Sequence, residues 1–258
     1  MRKQIAIEAR LRKCRNIVTL GLKPNLSDYC QKDAELIHKA EKIYYPTTFY
    51  VDIFDAMGKK VFPGYHTYRF AQNKIMQTAL FNLLKIPHPK TRFFYGKHQK
   101  KSITSYFKFP FIAKISKGSS MGKGVFLIKN NDDLKSYCDL VHAAYIQEYL
   151  ESDRDIRVVV IGEKIVHAYW RIAGPGEFKS NLASGASISL DDIPKDALNL
   201  ALYTVKKCSW NDVGIDIIKH KGAFFVLEAN MKYGKEGFRR AGINYISMME
   251  KMIESGEI

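Results

Sequence analysis

Residues 214–230 read GIDIIKHKGAFFVLEAN, and no other stretch constrains the fold as tightly. Two apolar runs flank the turn HKG, so they pair as an antiparallel hairpin. Inside those runs stand Asp216, Glu228 and Asn230. Side chains at i and i+2 of a strand share a face, so Glu228 and Asn230 point the same way. A three-residue turn with Gly222 in the left-handed position would pair Lys219 with Ala223 and Asp216 with Val226. That register sets Asp216 on the face of Glu228, displaced diagonally by roughly 7–8 Å. Either acid alone reads as a strand-end residue facing water. Three oxygen ligands on one face, with no nitrogen or sulfur, suit a hard cation instead. Mg²⁺ is the first choice, with Mn²⁺ as an alternative, and Mg²⁺ held by few protein ligands usually also binds substrate phosphates.

A second feature points to phosphate. The strand FPFIAKI and the strand VFLI are joined by a glycine-rich loop, SKGSSMGKG, at 116–124. Lys114 sits inside the first strand and needs an anionic partner or an exit to water. The loop is not a P-loop. Gly118 and Gly122 have three residues between them rather than four, Gly124 stands where Ser or Thr would be required, and a strand follows instead of a helix. Its glycines still permit close backbone approach, and Lys117 or Lys123 can reach a phosphate. A flexible hairpin turn is the competing reading.

The remaining elements follow from periodicity. Residues 16–22 read as a strand, and 31–42 as a helix with Leu36, Ile37 and Ala40 on one face. Residues 47–58 read as a second helix, capped by Thr47 or Thr48 and ended by Gly58. VFPGYHTY (61–68) reads as a loop and a domain boundary. A helix follows, with Ile75, Ala79, Leu80, Leu83 and Leu84 as its apolar face. TRFFYG and AYIQEYL read as strands, and DIRVVVIGEKIVHAYWRI as a hairpin turning at Gly162 and Glu163. Helices are expected near 131–141, 194–207 and 245–255. Hairpins mixed with helices predict α+β layers.

The chain's 258 residues allow a sizeable core. A formal net charge of +15 predicts attraction to an anionic partner. Nucleic acid would satisfy the charge, but no RNP or helix-turn-helix pattern accompanies it. Cys14, Cys30, Cys138 and Cys208 are widely spaced, with no C-x-x-C pair, which fits a reducing, cytoplasmic setting. The first residues lack the apolar core of a secretory signal, and no run of about 18 apolar residues predicts a membrane span.

The ordered series QNKIMQTALF, FIAKISKGSSMGKGV, IQEYL, DIRVVVIGEKIVHAYWRI, EFKSNLASG, VGIDII and VLEAN resembles the ATP-grasp ligases, in particular the RimK-like branch of glutamate and other amino-acid ligases. The resemblance covers roughly 67–258. It implies an α+β ATP-grasp fold of two subdomains gripping ATP, with a lid subdomain at about 98–150. A short α/β N-terminal domain at 1–66, reduced from the family's usual leading domain, would precede it.

By resemblance, Lys74 and Lys114 would contact ATP phosphates, with Lys117, Ser119 and Gly122 in the loop closing over them. Glu148 and Tyr149 match the linker that meets adenine, and Asp155 a ribose or nucleotide contact. Lys179, Ser180 and Asn181 match a segment near the phosphates. Asp216, Glu228 and Asn230 match the Mg²⁺ ligands. Arg157 and Arg171 would face the acceptor or an acyl phosphate. The implied activity is an ADP-forming carboxylate–amine ligase acting through an acyl phosphate on an acidic amino acid, peptide or protein tail. The family's frequent oligomers make a homo-oligomer an expectation as well.

Two departures bear on that activity. The family's R-S-N then R-G-G pattern has Lys179 at its first arginine and Ser184 at its second. Lysine keeps the charge but lacks the planar fork that grips a carboxylate or phosphate. Cations at Lys232, Lys235, Arg239 and Arg240 follow Asn230 and offer replacements, or recognition of a different anionic substrate. An ATP-binding protein without turnover and an ATP-grasp kinase are the alternative readings.

Overall fold

A computed structural model describes residues 4–115, 124–174 and 186–258. Lys117, Ser119, Gly122, Lys179, Ser180, Asn181 and Ser184 lie outside the described residues. Three sheets organise the rest. The first is parallel, in the order β2 (Ile17–Thr19), β1 (Gln4–Ala6), β3 (Lys42–Tyr44), β4 (Lys60–Phe62). Helices α1 (Gln31–Lys39) and α2 (Thr47–Ala56) supply its crossovers. At the start of α2 the Thr47 hydroxyl accepts from the amides of Phe49 and Tyr50 at 3.2 and 3.3 Å. This satisfies donors that the first helical turn leaves open.

The stretch 61–68, expected as a loop, instead completes β4 and opens α3 (Tyr65–Phe70). A three-residue strand is too short to show a period, and its parallel partner β3 lies elsewhere in the sequence. Helix α4 (Lys74–Leu84) follows, capped by the Asn73 side chain, which accepts from the Met76 amide at 3.2 Å. Its buried face also differs from the expected one: Gln77, Thr78 and Phe81 are buried, whereas Leu83 is 81% exposed. Polar contacts and one ring decide this orientation. Gln77 pairs with the backbone of Ala229, the Thr78 hydroxyl meets the Tyr145 hydroxyl at 3.0 Å, and Phe81 packs against Trp210.

The second sheet is antiparallel, in the order β5 (Thr91–Tyr95), β8 (Ala143–Glu148), β6 (Phe111–Lys114), β7 (Val125–Ile128). Short helices α5 (Gly96–Lys100) and α6 (Ile103–Tyr106) and the longer α7 (Asn131–Leu140) accompany it. Phe94, Ile103, Phe111, Ile128, Tyr137 and Ile146 form its core.

The third sheet, also antiparallel, runs β11 (Ser187–Ser189), β10 (Lys164–Ile172), β9 (Arg154–Ile161), β12 (Asp212–His220), β13 (Ala223–Asn230). Helix α8 (Lys195–Cys208) packs on one face of it, burying Ala197, Ala201 and Val205 against Ile156, Val158, Ile215 and Ile217. Alternation therefore sends Asp155, Arg157, Gly214 and Asp216 to the opposite face. Further along that face, Val159 and Ile161 pack with residues of α9 (Glu236–Arg240) and α10 (Tyr245–Glu254), among them Phe238 and Met249.

The last hairpin corrects the expected register. His220 pairs with Ala223 across a two-residue turn of Lys221 and Gly222, with φ values of 47° and 84°. Two left-handed residues match the twist of paired strands. The register then shifts between Asp216 and Ile217, so Asp216 faces Glu228 directly rather than diagonally, and Gly214 faces Asn230.

Candidate active site

The central feature is a cross-sheet row. Reading across four strands, Tyr169 on β10 pairs with Arg157 on β9, Arg157 with Asp216 on β12, and Asp216 with Glu228 on β13. One step along, Arg171 on β10 pairs with Asp155 on β9. The alternation of the strands puts all of these side chains on one face.

Four of them form a continuous ionic chain, Asp155–Arg171–Asp216–Arg157. Arg171 donates from Nε and Nη2 to the two Asp155 carboxylate oxygens at 2.6 and 2.8 Å. Its Nη2 also lies 2.8 Å from Asp216 Oδ2. Arg157 donates to both oxygens of Asp216, from Nε and, at 2.9 Å, from Nη2, and gives Nη1 to the Tyr233 carbonyl at 3.1 Å. All four residues are buried. Burial pushes the Asp216 carboxyl up, but the two guanidinium groups outweigh it and hold the carboxyl below its ordinary range. Burial opposes the charge on Arg171, and the two aspartates more than offset it. Arg157 and Arg171 are thus fixed in position by side chains expected to serve nucleotide and metal.

Glu228 and Asn230 occupy the open end of the row, both half-buried. The Asn230 side-chain oxygen Oδ1 accepts from the Lys232 amide at 2.8 Å. Lys74, on the first turn of α4, places its ammonium 3.9 Å from Glu228 Oε2. Lys114, at the end of β6, is buried, with Nζ 5.6 Å from the centroid of the Tyr145 ring. Burial lowers its pKa, and Glu228 and Asp216 pull it back up. Lys74 from α4 and Lys114 from the second sheet therefore bring positive charge to the carboxylates of the third sheet. Glu148 is exposed and accepts from the Lys90 amide at 3.3 Å, and Tyr149 is half-buried beside it.

Among the described residues no three Asp, Glu, His or Cys side chains cluster as a metal site. The oxygen donors Asp216, Glu228 and Asn230 nonetheless fit a hard cation that takes its remaining ligands from phosphate or water. Glu228 and Asn230 stand toward solvent, and Asp216 stands behind them with its charge shared by two arginines. The surrounding Lys74 and Lys114 fit a polyanion in the same place.

Four residues outside the sequence-based set support this arrangement. Gln77 donates to the Ala229 carbonyl at 3.0 Å and accepts from the Ala229 amide at 2.8 Å. This fixes α4, and so Lys74, against β13 one residue from Glu228. A polar residue between the apolar positions of α4 was the available signal. Arg10 and the buried Asp212 form a second, partly buried pair at 2.9 Å, and Arg10 also donates to the Met231 carbonyl at 2.7 Å. Tyr233 donates to Asp212 at 2.7 Å. These bonds tie the segment after β1 to the turn that follows Asn230. A separate cavity of about 470 Å³, lined by Lys13, Arg15, Asn244, Ile246, Ser247 and Glu250, shares no residue with the row.

Comparison with known proteins agrees with this architecture. A probable alpha-L-glutamate ligase of Shewanella frigidimarina is 34% identical over 151 residues, covering 56% of this chain and 49% of that protein. The chain spans about half the length of the curated relatives it first matches. A RimK domain ATP-grasp protein from Sphaerobacter thermophilus superposes with a TM-score of 0.72 at 14% identity, covering 96% of this chain and 98% of that one. The ATP-grasp ligase PsnB, solved with its precursor peptide PsnA2 and AMPPNP, gives a TM-score of 0.63 at 15% identity, covering 84% and 78%. The RimK-like ATP-grasp domain profile matches residues 71–255, and the chain belongs to that family.

Proposed function

We propose that this chain is an ATP- and Mg²⁺-dependent carboxylate–amine ligase that forms ADP and acts on an acidic amino acid, peptide or protein tail. One observation carries the reading: Lys74 and Lys114, from separate elements, converge on Glu228 at the open end of the Asp216 row. The glutamate-ligase names of the curated relatives support the substrate class, and the neighbour solved with a precursor peptide supports a peptide among the acceptors. Residues 67–258 then act as the nucleotide-gripping unit, preceded by the unit at 1–66 that carries the parallel sheet.

The chemistry is phosphoryl transfer followed by acyl transfer. A substrate carboxylate oxygen attacks the γ-phosphorus of ATP, and the bond to the bridging oxygen of ADP breaks. The amine nitrogen then attacks the acyl carbon, inorganic phosphate leaves, and the nitrogen loses a proton. Catalysis is positioning and charge neutralisation rather than attack by a side chain. Lys74 and Lys114 would hold the phosphates, with Lys117, Ser119 and Gly122 over them. Glu148 and Tyr149 would flank adenine, and Lys179, Ser180 and Asn181 would approach the phosphates. Asp216, Glu228 and Asn230 would hold Mg²⁺, which supplies further neutralisation of phosphate charge. Arg157 and Arg171 would stabilise negative charge at the acyl centre, with Asp155 keeping Arg171 in register beside the nucleotide.

An ADP-release screen over amino acids, short acidic peptides and acidic protein tails, with products read by mass spectrometry, tests this. A product heavier by one condensed amine, formed with stoichiometric ADP, is expected. Nucleotide binding without ADP release from any acid–amine pair would instead identify a binding protein without turnover.

A further inference from the structure

The chain's positive charge is not spread along it. Residues 56–131 contain fifteen lysines and arginines and no aspartate or glutamate. At the chain's mean density, roughly eight acids would fall there. The rest of the chain carries 26 basic and 26 acidic residues, so the whole net charge of +15 resides in this stretch. Lys74 and Lys114 belong to the row described above, and Arg69 lies 3.8 Å from Asp52. A larger set remains on the second sheet and its short helices. Among the described residues, no ion pair joins Lys90, Arg92, Lys97, Lys101 or Lys108 to an acid. All five are exposed.

Two of these cations, Arg92 and Lys90, are held by rings. The Arg92 guanidinium lies 3.8 Å from the Tyr106 ring centroid and 5.6 Å from that of Phe94. Lys90 Nζ lies 5.1 Å from the Phe107 centroid and donates to the Tyr106 carbonyl at 2.9 Å. Lys108 follows two residues after Tyr106, and α5 carries Lys97 at its start with Lys101 just beyond its end. Strand β5, which bears Arg92, is an edge of its sheet. Packing on aromatic faces orients a guanidinium fork and lowers the entropy lost when it grips a carboxylate.

We propose that this edge of the second sheet docks an acidic polypeptide segment, its carboxylates meeting Arg92, Lys90 and Lys108 around Tyr106. Single-stranded nucleic acid would need open aromatic platforms. Here Phe94 and Phe107 are buried and Arg92 covers one face of Tyr106, so Tyr95 and the rest of Tyr106 are the ring surfaces left among five exposed cations. The site presents charge rather than π-faces, which favours carboxylates. Docking is a binding property and does not depend on ligase turnover.

The test is fluorescence anisotropy of a labelled short oligoglutamate, with the protein saturated with AMPPNP so that the nucleotide site is filled. Lys90→Gln/Arg92→Gln/Lys108→Gln should weaken binding about tenfold or more and flatten its salt dependence. Lys219→Gln/Lys221→Gln/Lys251→Gln removes equal charge from exposed positions outside the stretch and should leave affinity within about twofold. AMPPNP affinity, measured for both variants, reports that each is folded. Equal loss in both variants would reduce the effect to net charge and overturn the proposal. So would a labelled oligouridylate that binds as tightly as the peptide and depends on the same three residues. ADP release plays no part in the readout, so failure of the ligase reading and failure of this one are distinguishable.

Discussion

Asp216 and Glu228 are direct cross-strand partners, yet they live in different electrostatic surroundings. Asp216 is buried and held by two guanidinium groups, whereas the Glu228 side chain is 28% exposed, with the Lys74 ammonium 3.9 Å away. The same face therefore offers one structural carboxylate and one available carboxylate. Glu228→Ala should fold with nearly wild-type stability, because it breaks only a partly exposed ion pair. It should weaken Mg²⁺-dependent ATP binding by about tenfold or more. Calorimetric ATP titrations with and without Mg²⁺ check this. Unchanged Mg²⁺ dependence would remove Glu228 from the proposed metal site.

Asp216→Asn should behave differently. It leaves Arg157 without its carboxylate and Arg171 with Asp155 alone. Loss of one partner from a buried ionic network costs about 3–5 kcal/mol, read by denaturant unfolding. The folded carboxyl titrates below its ordinary value, so its contribution is present above the unfolded pKa and is lost as pH falls through the folded one. Wild-type stability should accordingly drop below about pH 4, and the Asn variant should show a shallower drop there. Parallel acid-unfolding curves for the two proteins would show no such difference if Asp216 were uncoupled from folding.

Gln77 has two bonds to one residue, Ala229. Gln77→Ala would leave a buried amide and a buried carbonyl of β13 unpaired, at a cost of about 2–4 kcal/mol. It should also raise KM for ATP, because α4 carries Lys74. Gln77→Met fills the space without restoring the bonds, so it should recover little of either. Equal recovery by Met would mean that packing, not pairing, fixes the helix.

Much of the third sheet was readable from sequence. The hairpin at Gly162 and Glu163 and the shared face of Glu228 and Asn230 follow from period and turn chemistry. The register of the last hairpin was not readable, because a bulge leaves no compositional mark and shifts the pairing beyond it. Burial of Gln77 and exposure of Leu83 were hidden for another reason. Helix α4 is oriented by polar partners on β8 and β13, and hydrophobic period alone cannot weigh them. The bond from Arg10 to Asp212 spans 202 positions, and nothing local in the sequence of either residue signals the other.

Lys114 gives a pH prediction. Burial lowers its pKa below the ordinary 10.5, with Glu228 and Asp216 acting in opposition. A protonated lysine is the form that binds phosphate. ATP affinity should therefore begin to fall on the alkaline side at a lower pH than an ordinary lysine would allow. Lys114→Arg stays charged throughout and should abolish that alkaline limb. Superimposable pH profiles for wild type and Arg variant would show that Lys114 does not meet the phosphates.

Gly214 lies opposite Asn230, and its requirement is space rather than backbone freedom. A Cβ there would stand 2.5 Å from Cβ of Tyr233 and 2.9 Å from Cδ of Arg157. The first neighbour sits on the turn after Asn230, and the second is the arm that reaches Asp216. Neither can yield without moving the row, so Gly214→Ala should cost about 1–3 kcal/mol by overpacking and also weaken ATP binding. Gly222→Ala is the contrasting substitution. It meets open space, but φ is +84°, so it should cost roughly 1–2 kcal/mol of backbone strain while ATP affinity holds. Unfolding curves and ATP titrations on the two variants separate the effects. Equal losses of affinity in both would mean that general destabilisation, rather than displacement of Arg157 and the turn carrying Tyr233, governs the site.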